Sequence, residues 1–526
     1  MNAIDVAIII GSLAVVVFVG LRASRGQDPS AKGYFLASGK MPWWLIGAGY
    51  VATSVSSEQI VGTVGATYTH GMGIANWEWF APNKFIILLF FIPIYLRSRI
   101  TTIPDLLARR YGPLCSDIYS WVMLVAYVFI FMPPVLYGGS LAFSKLAGWD
   151  FYVVLWTTVV LVALYTVQGG LKAVMWTDAV QCVMLIGGGA LLFFVALWQV
   201  PGGWPAMVEA SPERFHLVHP PDDPMAPFLG FLAATVGLFL FYSAGSQVMI
   251  QRVLCARSTW DGMMGILFSC FINLFRPLVT CFLGLVVFHW IHVMHMAEPL
   301  ENADTTFPFA LAHMAPEWGL RGIVLTGFLA AVMSTISSLS NSTATIFSLD
   351  VYKRLIHPGA DDARVVLTGK AVAMFSLIIA GLVAPFIEHV GLFQYFQKGV
   401  TYLATPFISV ILMGFFWKRS NYAAGLFGIV GGLAIQLGIV GGLQYAGITL
   451  HWLYAAFIAQ VIIMAGMFAI SLVTEPPARE QWEPFFWRPD MLRHIDGAEG
   501  RPWYQTLTFW SIVFVIIWGF LYYWFW

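Results

Sequence analysis

Charge is the scarcest property of this chain. Only 10% of its 526 residues are Asp, Glu, Lys or Arg, against about 25% in soluble domains. The 27 basic residues balance the 27 acidic ones, so no basic field points to nucleic acid. Cysteine is scarce as well. Cys115, Cys182, Cys255, Cys270 and Cys281 are odd in number and show no CxxC or Cys/His spacing, so neither a disulfide framework nor a metal site of that kind is indicated. No GxSxG, HExxH, P-loop or dinucleotide-binding pattern stands in a loop that could use it. Loops are short, with no soluble catalytic domain, which argues against an enzyme. Without a P-loop, uphill transport would most simply draw on an ion gradient.

What the chain has in abundance is apolar surface. It is 59% hydrophobic and 16% aromatic, with a mean hydropathy of +0.77. These values define an all-α polytopic membrane protein. Fourteen stretches reach about 20 residues or more, the length a bilayer requires. They lie near 3–21, 42–67, 73–96, 116–145, 150–168, 174–200, 227–251, 262–292, 319–347, 365–388, 394–416, 421–445, 451–473 and 504–526. The first lacks a basic leader and reads as a retained helix rather than a cleaved signal. Residues 42–200 and 227–416 each open on a Gly-interrupted polar segment, which fits two inverted five-helix units joined by a Pro-rich outer loop, 201–226. Residues 1–41 then form an extra span and its loop. Residues 417–526 form three peripheral spans with an aromatic inner loop, 475–503.

Lys and Arg alternate between loops. The odd-numbered loops carry Arg22, Arg25, Lys32 and Lys40; Arg97, Arg99, Arg109 and Arg110; Lys172; Arg252 and Arg257; Lys353, Arg354 and Arg364; Lys418 and Arg419; and Arg479, Arg488, Arg493 and Arg501. The even-numbered loops carry almost none. By the positive-inside rule the odd loops are cytoplasmic and both termini face outside the plasma (inner) membrane.

Gly49–Gly65, GYVATSVSSEQIVGTVG, has three glycines, five Ser/Thr hydroxyls, Gln59 and Glu58 inside an apolar span. Unpaired polar groups at that depth cost on the order of several kcal/mol each. Such a segment reads as a broken helix lining a small-molecule site. The plainer alternative is a packing face, since Gly62 and Ala66 form a small-xxx-small pair, but packing requires neither Glu58 nor Gln59. Glu78, in ANWEWF, needs a partner or a hydroxylated ligand unless it sits in an interfacial belt. Carboxylate plus indole suits a sugar. Ser334, Ser338, Ser342 and Thr345 form a polar stripe on an apolar helix, read equally as hard oxygen ligands for an alkali cation or as packing glue. Tyr242 suits a gate or a core. Arg276, beside Asn273, needs a counter-charge. Gln397 lies near the outer start of its span. Asp178 fits a helix-cap role at least as well as an ion path.

Four blocks, VATSVSSEQIVGTVGATYTHGMGIANWEW, GGLKAVMWTDAVQ, QVMIQRVLCARS and GFLAAVMSTISSLSNSTATIFSLDVYKR, resemble the solute:sodium symporters, in particular their sodium/glucose and sodium/galactose cotransporter branch. The resemblance covers about 1–475. It implies fourteen helices with a LeuT-type five-plus-five inverted repeat and an external N-terminus. It implies a sodium site built from Ala52, Val55 and Ala331 (backbone carbonyls) with the hydroxyls of Ser334 and Thr335. It also implies sugar contacts at Gln59, Glu78 and Gln397 and an inner gate at Tyr242. Three positions depart from the family pattern: Ser54, Phe239 and Asn273 stand where the family carries Asn, Asn and Lys. The expected activity is sodium-coupled import of a small polar solute, most simply a monosaccharide, by alternating access. The alternatives are a non-sugar solute (a polyol, amino acid or organic anion) on the same scaffold, and a channel or sensor without coupled turnover. The partners implied are sodium, the solute and the bilayer.

Overall fold

A computed structural model describes residues 2–316, 318–389 and 392–526, with the side chains of 58, 388, 389 and 392–399 outside the description. Among the described residues there is no β-strand. Nine helices there are long and apolar enough to cross a bilayer, or ten if Phe228–Thr235 and Leu238–Gly245, bent by 53°, form one span. The chain is a multi-pass integral membrane protein.

Helices occupy the expected stretches, in pieces where the chain bends or breaks, and two of the stretches run together in one helix. The elements that matter below are α1 (Ala3–Ser24), α2 (Trp43–Ser54), α3 (Ser57–His70), α4 (Asn76–Trp79), α5 (Phe151–Trp198), α6 (Gln247–Leu254), α7 (Thr259–Asn273), α8 (Arg276–Thr280), α9 (Leu320–Ile346), α10 (Leu392–Phe416) and α11 (Leu507–Trp524). Two expected spans fall within α5. At about 1.5 Å per residue, its 48 residues exceed twice the roughly 30 Å hydrocarbon core. Gly170 divides it, with φ 49° and ψ −150°. A Cβ there would lie 2.4 Å from the Tyr34 carbonyl oxygen, so both the backbone conformation and the contact require glycine.

The interior is built around α5, α9 and α2, with α1 laid along α5 and α9. Apolar packing in a bilayer relies on close backbone approach. Gly327 of α9 shows it: an added Cβ would meet the Met184 carbonyl oxygen at 2.7 Å. Nearly every residue of α9 is buried, including its Ser/Thr stripe. The outer helices are the reverse. Ile512, Ile516, Phe520 and Trp524 of α11 are exposed, a face that suits lipid rather than water.

Polar helices break where the sequence carries glycine and hydroxyls. The 42–67 stretch stops at Ser54, passes through extended Val55 (φ −113°, ψ 121°) and restarts at Ser57. The 227–251 stretch is interrupted at extended Ser246 (φ −96°, ψ 129°) before α6. The opening segments of both expected five-helix units are therefore discontinuous. A third interruption separates Asn273 at the end of α7 from Arg276 at the start of α8. The aromatic loop after residue 475 packs against the helices near it: Trp487 donates its backbone N–H to Phe415 O and its indole N–H to Leu89 O, both at 3.0 Å.

Candidate functional site

A broken membrane helix frees backbone carbonyls that must find partners. At the end of α2 they find them on two sides. Thr335 of α9 places its hydroxyl 3.3 Å from both Thr53 O and Val55 O. Arg276 of α8 donates to Ser54 O at 3.4 Å and to Ser54 Oγ at 3.2 Å. One unwound turn thus joins an oxygen-rich seam on the α9 side to a cation on the α8 side.

The seam brings together Val55 and Thr335, two of the five residues expected to hold sodium. Ala52 and Ala331 are both buried, on the contacting helices α2 and α9. Ser334 turns elsewhere: its hydroxyl donates to Asp178 Oδ1 at 2.8 Å. The stripe of Ser338, Ser342 and Thr345 acts as cross-linking. Ser338 meets Thr53 Oγ1 at 3.1 Å, Ser342 donates to Gln251 Oε1 at 2.9 Å, and Thr345 accepts from Gln251 Nε2 at 2.8 Å. A carbonyl and a hydroxyl are hard oxygen donors, so Val55 O and Thr335 Oγ1 fit an alkali cation. Among the described residues no group of three or more His, Cys, Asp or Glu is placed to hold a metal.

Two expectations are corrected by this geometry. Asp178 is not a helix cap: it lies within α5, two turns past the Gly170 kink, and is fully buried. Arg252 is not a cytoplasmic loop residue. It is 1% exposed on α6 and forms an ion pair with Asp178 at 2.7 Å. Its guanidinium also donates to Gly49 O at 3.1 Å, Val248 O at 2.6 Å and the Ser338 hydroxyl. The pair therefore ties α5, α6, α2 and α9 together. Its position near the end of an apolar run made Arg252 look like a positive-inside charge.

On the other side of the break lies a cavity of about 110 Å³. Ser54, Gln59, Glu78, Tyr242 and Asn273 line it: two of the three expected sugar contacts, the expected gate, and two of the positions that depart from the family pattern, all candidates for the substrate site. The third expected sugar contact, Gln397, has its side chain outside the described residues; Val400 on the same helix, α10, lines the cavity. Glu78 sits on α4, a single turn that ends before Pro82. Its Oε2 pairs with Arg276 Nη2 at 2.6 Å and its Oε1 accepts from Gln59 Nε2 at 3.0 Å. Arg276 Nη1 also donates to Asn273 Oδ1 at 3.3 Å. The counter-charge that Arg276 needed is thus Glu78. Trp77, Phe80 and Phe239 give the cavity an aromatic wall, with Phe239 edge-to-face on Trp77 at 5.6 Å. Such faces pack well on the C–H face of a small ring, while Glu78, Gln59 and Asn273 offer polar contacts.

Sequence reasoning passed over Lys84, which lines the same cavity. Its ammonium donates to Tyr50 Oη and to Ser243 Oγ, each at 3.3 Å. The signal was available: an ionisable residue inside an apolar span is a site hypothesis by default. C-terminal α11 braces the segment that carries Glu78. The Trp518 indole donates to Trp79 O and the Tyr522 hydroxyl to Asn76 Oδ1, both at 2.6 Å.

Residues 34–432 match the model of the sodium:solute symporter family. A sodium/glucose cotransporter of Vibrio parahaemolyticus is 31% identical over 463 residues, covering 83% of this chain and 85% of the relative. The human sodium/myo-inositol cotransporter 2 is 27% identical, covering 92% and 78% respectively. A solved structure of a sodium-coupled sialic acid symporter, in a substrate-bound outward-open state, superposes with a TM-score of 0.80 at 22% identity, over 90% of this chain and 98% of that one. With the family matched across most of its length, the chain belongs to the sodium:solute symporters.

Proposed function

We propose that this protein imports a small hydroxylated solute of monosaccharide or polyol size, driven by sodium entry, through the cavity beside Glu78 and Arg276. Family membership supplies sodium-coupled symport and the membrane setting; a transporter of this kind binds and releases its solute without catalysing its chemistry. The sugar and inositol relatives support the solute class. In this reading sodium is held by Ala52, Val55, Ala331, Ser334 and Thr335, and the solute by Gln59, Glu78, Gln397, Asn273 and Ser54, with Tyr242 as inner gate. Residues 42–200 and 227–416 are the two inverted units, and both termini face outside the inner membrane.

The observation that carries the proposal is the shared helix end. Thr335 and Arg276 hold the adjacent carbonyls of Val55 and Ser54. An ion that draws Thr335 and Val55 together fixes the turn on which Arg276 rests, and Arg276 orients Glu78 and Asn273 in the cavity. Each ligand then favours the conformer that the other needs. By linkage each raises the affinity of the other equally, typically by about 5- to 150-fold. Alternating access follows when the segments around the broken helices rock about this point.

The test is thermal stability of the purified protein in sodium against potassium, over a panel of sugars, polyols and amino acids. A ligand that binds the folded state raises the melting temperature by mass action. A solute that stabilises in sodium and not in potassium is the expected result. Stabilisation that is the same in both ions would remove the coupling.

A further inference from the structure

Resting on the symporter reading above, we infer that the solute is a monoanion: the cavity selects a hydroxylated monocarboxylate, a sugar acid, whose carboxylate is received by Lys84 and Arg276.

The charge of the cavity is the first reason. Its described lining holds two cations, Arg276 and Lys84, and one carboxylate, Glu78. Glu78 is engaged by Arg276 at 2.6 Å. Lys84 makes no ion pair among the described residues; its partners are two neutral hydroxyls. It also lies 4.4 Å from the centre of the Tyr50 ring. A cation held at membrane depth with no carboxylate in contact with it is costly, and a bound carboxylate supplies that contact. Among the described lining side chains the surplus is one, which fits a monoanion rather than a phosphate dianion.

Hydrogen-bond capacity is the second. An ammonium has three donors, and Lys84 directs two of them at Tyr50 and Ser243. Those partners are themselves fixed, since Tyr50 donates to Ser243 O at 2.9 Å and Asn83 donates to Ser243 Oγ at 3.1 Å. The third donor is left for a ligand. Arg276, 5% exposed, has no acceptor for its Nε, and Asn83, also 5% exposed, has no donor at its Oδ1. A buried polar group left unmatched carries a penalty that a fitting ligand removes. Arg276 and Asn83 both line the cavity, so a carboxylate oxygen suits the one and a hydroxyl the other. The aromatic wall of Trp77 and Phe239 offers ring faces. Binding therefore leans on the charged end.

The experiment uses the purified full-length protein in sodium and in potassium, with D-glucuronate, D-glucose and myo-inositol as probes and melting temperature as readout. In sodium, D-glucuronate is expected to act at a concentration at least tenfold lower than either neutral probe. Lys84→Met is expected to bring the glucuronate-to-glucose ratio below threefold, and Lys84→Arg to keep it. A ratio taken within one variant is insensitive to general loss of stability, and the wild-type comparison stands alone if Lys84→Met fails to fold. Equal or better action of the neutral probes on the wild type overturns the inference, as does an unchanged ratio in Lys84→Met. The two readings fail differently. A neutral sugar that stabilises only in sodium, and at a concentration no higher than D-glucuronate needs, leaves the symporter standing and removes the anion. Solute effects indifferent to sodium remove the symporter reading itself.

Discussion

Two buried carboxylate–guanidinium pairs lie on either side of the same broken helix, and they are built in opposite ways. Asp178–Arg252 is saturated in the sense that each of its side-chain polar atoms has a protein partner. Arg252 reaches two backbone carbonyls, Asp178 and a serine hydroxyl, and Asp178 also accepts from Ser334 and faces Thr53 Oγ1 at 3.4 Å. Both residues are at most 1% exposed. Glu78–Arg276 is incomplete: Arg276 Nε has no acceptor and the pair borders a cavity with Lys84 beside it. A pair in which every polar atom is partnered by protein is a cross-link. A pair with capacity remaining, at the wall of a cavity, is a place for a ligand. Burial alone does not separate the two.

The largest effect expected from breaking this comparison is at Arg252. Arg252→Met leaves Asp178 buried without its counter-charge, a loss of about 3–5 kcal/mol, and should lower the melting temperature more than loss of Glu78, Ser334 or Thr335 does. Replacing both members, Arg252→Met with Asp178→Leu, should recover most of that loss, because removing a buried pair together is far cheaper than breaking it. A double variant no more stable than Arg252→Met would mean that the two residues do not act as a unit.

Glu78→Gln sharpens the contrast. Its partner faces a cavity that water or solute can enter, so the fall in melting temperature should be less than half of that in Arg252→Met. Solute affinity should instead fall at least tenfold, which at roughly 1.4 kcal/mol per decade is within the cost of leaving one buried polar group unmatched. Titration of the sodium-dependent melting shift with solute measures both quantities. Equal destabilisation in the two variants would make Glu78–Arg276 another cross-link.

The ion seam allows a narrower comparison. Thr335 touches the carbonyls of the broken turn, whereas Ser334 points at Asp178. Thr335→Ala should therefore raise the sodium concentration for half-maximal stabilisation by about tenfold, near 1.4 kcal/mol, and Ser334→Ala by less. The pair changed together should abolish sodium-dependent uptake in vesicles while the protein remains expressed. The reverse order, with Ser334 dominant, would shift the ion toward Asp178.

Much of this was legible in the sequence, and what was not has a physical cause. The break at Val55 could be read because glycine, hydroxyls and Glu58 interrupt an apolar run that lipid would not tolerate. The cavity residues Gln59, Glu78 and Asn273 carried the same signal. The partners did not. Glu78 and Arg276 meet only through tertiary packing between α4 and α8, and nothing local to either residue specifies the other. Arg252 was misplaced because proximity to a span end does not distinguish a loop charge from one folded inward. The Ser/Thr stripe of α9 was ambiguous because hydroxyl spacing is the same for an ion ligand and for a helix contact. Only the facing residues, Thr53 and Gln251 for Ser338, Ser342 and Thr345, decide between them.

A third carboxylate extends the comparison outside the membrane, with the smallest expected effect. Asp223, in the Pro-rich loop 201–226, accepts from the backbone N–H of Ala226 at 2.7 Å and Met225 at 2.9 Å and meets His219 Nδ1 at 3.0 Å. Partial burial pushes its carboxyl up, but these hydrogen bonds outweigh it and hold the group below its ordinary value. A group whose folded pKa is depressed contributes stability above its unfolded pKa, near 3.9 for Asp, and loses it as pH falls through the folded value. Asp223→Ala should therefore cost about 1 kcal/mol or less at pH 7, as a partly exposed pair does. The melting-temperature gap between wild type and variant should close as the pH is brought below 3.9 toward the folded value. A gap independent of pH would mean that the loop is held by packing and not by the charge of Asp223. The three carboxylates would then differ by burial only, and saturation would lose its standing as the property that distinguishes them.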